Sequence, residues 1–279
     1  MKKSLLALAA LAAAVLIPAP ASAASAVDVT VTPGGLTAPV SAPWGRVSIR
    51  VTAHDPEGAW PGLVRLKPGV ALGDYLDDLT RAFADGPDAL AAAREVEADV
   101  TAYGGPALRD GDTGTLTADL SRGVYHLIDY KDVGRPGLAA RVRELRVGGT
   151  RASASVDASG LVLIHDTPSG ARFAAPARLP AGRPFAVVNL SGQMNEAILM
   201  PLRDGFGGAE VQAFFTDMRT SPYPFAGTPQ GSVVLSPGRA LSVDVPLAPG
   251  RYALVSWAHD HETGAFHTAQ GMWAVVEVA

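Results

Sequence analysis

Apolar and polar residues alternate over Val27-Asp28-Val29-Thr30-Val31, and alternating or β-branched runs return at 47–52, 115–120 and 123–130. A period of two, interrupted by Gly and Pro signals, predicts short half-buried strands. After residue 150 the same kind of run appears at 161–164, 185–190, 196–199, 240–245, 251–257 and 273–278. Two segments carry the helical period instead. Leu72, Tyr75, Leu76 and Leu79 stand at i, i+3, i+4 and i+7, as do Val211, Phe214, Phe215 and Met218, so each set predicts the buried stripe of an amphipathic helix. Asp88 to Val100 is rich in alanine and predicts a further helix on propensity.

The two helical stripes belong to a degenerate repeat. They are offset by 139 positions; Gly45 to Thr52 matches Gly182 to Asn189 at 137, Val64 to Gly69 matches Met200 to Gly205 at 136, and Gly123-Val124-Tyr125 matches Gly250-Arg251-Tyr252 at 127. Loop insertions account for the drift, and two copies of one fold follow. The pattern predicts an all-β fold with helical inserts. Its two halves would cover 24–150 and 151–279 and meet near Gly148 to Ser155, a polar stretch of small residues. Tyr125 and Tyr252, equivalent in the two copies, read as structural.

Composition narrows the classes. Hydrophobic residues make up 48% and charged residues 18%, enough for packed cores. With 23 basic and 27 acidic side chains the net charge is −4, which disfavours nucleic acid as a partner. Cysteine is absent, so no disulfide, thiolate ligand or cysteine nucleophile exists. Lys2 and Lys3, the apolar run Leu5 to Ile17 and small Ala21 and Ala23 compose an export signal over 1–23, cleaved near Ala23. Pro18 ends that run short of the roughly 18 residues a membrane anchor needs. The expected location is secreted, periplasmic or in the cell envelope, with no membrane span.

From Pro249-Gly250-Arg251-Tyr252 through Thr263-Gly264 to His267 and Gly271-Met272, the chain resembles the closing strands of secreted bacterial cupredoxin-like domains. The resemblance implies two tandem cupredoxin-like antiparallel β-sandwiches. It places the loop histidine of a copper site on His267, the methionine on Met272 and the cysteine position on Ser256. The upstream segment Gln193-Met194-Asn195-Glu196 supplies no histidine. A blue-copper centre depends on a thiolate bond, which Ser256 does not provide.

His259, His261 and His267 lie within nine residues, and imidazoles with Met272 are a donor set for copper or zinc. The plainer alternative is a solvated polar loop closed by an Asp and Thr-Gly turn. Ser256 lies on an alternating strand without a nucleophile elbow, which argues against a hydrolase. Asp77, Asp78, Glu97 and Asp99 read as a solvated helix face. Trp60 and Tyr223, with Phe225 beside it, are candidates for docking an extracellular protein or glycan. The expectation is a non-catalytic binding protein without a cofactor; the alternative is metal handling through His259, His261, His267 and Met272.

Overall fold

The structure, a computed structural model, describes residues 26–279 apart from residue 85; the export signal expected over 1–23 lies outside the described residues. The first half contains β1 (Val27–Thr32), β2 (Gly35–Thr37), β3 (Ser41–Ala53), β4 (Pro61–Leu66), α1 (Leu72–Ala82), α2 (Ala89–Asp99), β5 (Val100–Ala102), β6 (Pro106–Ala107), β7 (Thr113–Leu120), β8 (Gly123–Asp129), α3 (Leu138–Arg141) and β9 (Arg143–Ser153). The second contains β10 (Leu161–Thr167), β11 (Gly170–Ala174), β12 (Arg178–Leu179), β13 (Phe185–Asn189), β14 (Asn195–Pro201), α4 (Gly208–Thr216), β15 (Gln230–Leu235), β16 (Arg239–Asp244), β17 (Gly250–Val255) and β18 (Trp273–Val278). The chain is mostly β-sheet with helical segments.

The pairing order occurs twice. β1 runs parallel to β3 and β10 parallel to β13, while β3 pairs antiparallel with β7 and β13 with β16. β4, β8 and β9 form an antiparallel ladder, and so do β14, β17 and β18. The first part of β3 lies parallel to β9, just as β12 lies parallel to β18. Even the register is kept: Gly62↔Ile128 and Leu63↔Leu127 recur as Ile198↔Val255 and Leu199↔Leu254. These are the offsets of 136 and 127 seen in the sequence. The match made at 137 is off by one residue. Val47, Ile49 and Val51 are buried in β3, whereas β13 buries Phe185, Val187 and Asn189; an odd offset would turn one set to the opposite face.

Local chemistry fixes the repeated corners. Gly123 and Gly250 both open their strands at φ +153°, where a side chain is strained, and a Cβ on Gly123 would meet the Arg65 guanidinium at 2.9 Å. Two residues later, Tyr125 Oη donates to the Ser121 carbonyl and Tyr252 Oη to the Ala248 carbonyl, each at 2.9 Å. Both rings are buried, so the structural reading of this pair stands. In α1 the predicted stripe buries Tyr75, Leu76 and Leu79. α4 buries Val211, Phe214 and Phe215, and Met218 falls beyond its end.

Two expectations shift. The boundary expected near Gly148 to Ser155 falls largely on the end of β9, where Arg151, Ala152 and Ser153 pair with Trp44, Gly45 and Arg46. Small polar residues hide this strand because it is only partly buried. Nor do the halves stand apart. β7 pairs antiparallel with β16, and β6 with β15, so both sheets run across the boundary and both hydrophobic clusters draw residues from both halves. Gly104 marks the closeness of the join, since a Cβ there would sit 2.2 Å from Leu241 Cδ2. Edge strands left open in each copy satisfy one another's backbone groups.

Candidate functional site

The helical hairpin α1–α2, pinned by Arg81 to Glu95 at 2.8 Å, does not close tightly onto the sheet beneath it. An apolar cavity of about 710 Å³ remains, walled by Tyr75, Leu79, Leu90 and Val96 from the first half and by Ile198, Val233 and Phe266 from the second. Its volume lies in the range of small-molecule sites. Register-equivalent positions of the two halves contribute to the lining: Trp60 and Tyr130 from the first, Glu196 and Trp257 from the second.

Among the described lining residues the acidic and basic side chains are Glu97, Glu196 and the imidazoles of His259 and His261, and none is Lys or Arg. Glu196 accepts the Trp257 N–H at 2.9 Å. Burial pushes its carboxyl up to about 7, only partly offset by that bond. Glu97 Oε1 accepts the Met194 N–H at 2.9 Å, and Oε2 stands 2.9 Å from His261 Nδ1, with side chains 18% and 19% exposed. Tyr75 and Tyr130 meet through their hydroxyls, and burial pushes both phenols up.

The histidine segment contributes His259 and His261 to the lining; its tip, Glu262 and Thr263, is exposed, and so is His259, but its backbone is held in place. Arg94 Nε of α2 donates to the His261 carbonyl at 2.7 Å, and the His261 N–H donates to Gln193 Oε1 at 2.8 Å. Burial alone would raise the Asp260 carboxyl, but the Glu262 N–H and the Gln270 and Gln193 amides together hold it down to about 2. His259 lies against the Phe266 ring with centroids 4.0 Å apart; burial, then the charge of His261, pushes its pKa down. His267 is buried with neither ring nitrogen hydrogen-bonded, and burial keeps it neutral to lower pH. Met272 is fully buried.

Among the described residues no three His, Asp or Glu side chains gather as a group that could hold a metal ion, so the structure does not join His259, His261 and His267 in that way. The position assigned to a thiolate is also committed elsewhere. Ser256 Oγ donates to Asn195 Oδ1 at 3.1 Å and accepts the Glu196 N–H at 3.2 Å, while Thr268 bonds both its N–H and its carbonyl. In the first half the equivalent residue is Asp129, whose Oδ1 accepts the Trp60 N–H at 2.9 Å. This donor set does not fit a blue-copper ion.

The two aromatic candidates part company. Trp60 faces the cavity, whereas Tyr223 is 47% exposed and packs edge-on against Phe214 and Phe225. Reading the sequence as isolated copies missed Glu97 and Glu196 as site residues. Glu196 did carry a signal: it is a lone carboxylate entering the apolar run Ala197 to Met200, at the repeat position of a tryptophan.

No protein-family model matches the chain, and no curated protein does. Among solved structures it is similar to a multicopper oxidase at 12% identity, with 90% of this chain and 88% of that one covered and a TM-score of 0.26. Dithionite-reduced auracyanin from Roseiflexus castenholzii is 21% identical over 44% of this chain and 98% of its own, at a TM-score of 0.27. A copper-containing nitrite reductase from Thermus scotoductus SA-01 is 10% identical over 91% and 61%, at 0.25. Scores this low assign neither fold nor chemistry to this chain.

Proposed function

We propose that the chain is an exported, non-catalytic binding protein made of two fused cupredoxin-like sandwiches, and that it takes a small apolar molecule into the cavity between α1–α2 and the second half. The observation that carries this reading is the cavity itself: about 710 Å³ of largely apolar space lined by residues at register-equivalent positions of both halves. The repeated pairing order supports the duplication. Absence of cysteine and the engaged Ser256 hydroxyl support a scaffold that binds without redox chemistry. Trp60, first considered as an outward anchor for a protein or glycan, serves here as a wall of the site.

Nile red, a neutral dye that brightens in apolar surroundings, tests this. It should bind saturably to the wild type, and Ala93→Trp, which fills the space from α2, should abolish the signal while leaving the circular dichroism spectrum unchanged. Absence of saturable binding, or equal binding to the filled variant, would refute the reading.

A further inference from the structure

Resting on that cavity reading, we infer that the natural occupant is an apolar molecule bearing a protonated amine, with Glu196 as its counter-ion. Shape alone admits any apolar body of suitable size, so the charge lining the site decides the class. Glu196 reaches the cavity from β14 with one backbone donor, the Trp257 N–H, and no neighbouring cation acts on it. Among the described lining residues the other acidic or basic groups are Glu97, whose Oε1 accepts the Met194 N–H and whose Oε2 stands 2.9 Å from His261 Nδ1 without a hydrogen bond, and the imidazoles of His259 and His261. An anionic ligand would meet two carboxylates and no Lys or Arg. A neutral ligand would displace water from Glu196 and leave a carboxylate unpaired in a desolvated site, which is costly. An ammonium group instead forms a charge-assisted hydrogen bond there.

The rings around Glu196 favour the same class. Trp60, Trp257 and Tyr130 line the same cavity as Glu196, and Tyr130 is near enough for the Glu196 charge to act on its phenol. Aromatic faces attract a cation and accept an apolar body equally well.

Three compounds of one shape separate the possibilities: 1-adamantylmethylamine, 1-adamantylmethanol and 1-adamantanecarboxylate, each titrated calorimetrically into the full described chain at pH 8. The amine should bind about tenfold or more tighter than the alcohol, and the carboxylate weakest. In Glu196→Gln the advantage of the amine over the alcohol should vanish, and the alcohol, no longer covering an unpaired carboxylate, should bind at least as tightly as to the wild type, which also reports that the cavity is intact. Equal amine and alcohol binding to the wild type, or a preference that survives Glu196→Gln, overturns this inference and leaves the cavity reading standing. Failure of the alcohol as well as the amine overturns the cavity reading itself.

Discussion

Glu196→Gln should make the protein more stable at pH 8 and leave it unchanged at pH 4. In the folded chain the Glu196 carboxyl titrates at about 7, against an ordinary value of 4.5, because burial disfavours its charge. Below pH 4.5 the group is neutral in both folded and unfolded chains and no penalty arises. Between 4.5 and 7 the unfolded chain ionises first, unfolding releases a proton, and stability falls as pH rises. Above about 7 both states are ionised and the penalty is constant. The full gap corresponds to about 3.4 kcal/mol. The side chain is only half-buried at the cavity surface, so water there reduces the figure to about 1–2 kcal/mol. Glutamine keeps a carbonyl for the Trp257 N–H and cannot ionise. Urea denaturation of both proteins at pH 4, 6 and 8 reads the difference directly, and the other titrating groups cancel because both proteins share them. A stability difference that does not change with pH would refute the assignment.

Other consequences are as specific. Tyr125→Phe and Tyr252→Phe each remove a hydroxyl-to-carbonyl bond and should each cost about 1 kcal/mol in denaturant unfolding, Tyr125 somewhat more because its hydroxyl also meets Ser121 Oγ at 3.3 Å; no loss at either position would argue against these corners as structural. Lys131 Nζ meets Asp55 Oδ2 at 2.6 Å with side chains 7% and 5% exposed, so Lys131→Met should cost about 3–5 kcal/mol by stranding a carboxylate, and adding Asp55→Leu should recover much of that loss. His267→Leu should lose less stability than the wild type between pH 7 and pH 5, since burial depresses the wild-type imidazole and the unfolded chain takes up the proton first. Neither Cu(II) nor Zn(II) should raise the melting temperature; a rise abolished by His267→Leu would restore the metal reading.

The strands that alternate cleanly were legible because period two and Gly-Pro punctuation are local signals. Val27–Thr32 and Trp273–Val278 are examples. β9 was not legible past Val147, where Gly148-Gly149-Thr150 offers no apolar face to read. The repeat was visible through Gly-x-Tyr and the helix stripes, yet the glycine-arginine pair that anchored the match at 137 misled by one residue. Gly45 and Arg46 lie inside β3, whereas Gly182 and Arg183 lie in the turn before β13, so the pair does not mark the same place in the two halves.

The site was harder to see for a different reason. Glu97 has the sequence neighbourhood of a solvated helix face, and on an isolated copy it would be one. Only when β7 meets β16 and β6 meets β15 does the second half bring His261 and the Met194 N–H against α2. A residue's role then depends on contacts between positions about a hundred or more apart, which no local period encodes. At one pairing position the first half places Trp60 and the second Glu196, so a carboxylate stands on the lining where the register-equivalent residue is an indole. On the amine reading, the cavity's selectivity resides in that difference between the halves, while its apolar body is built by both.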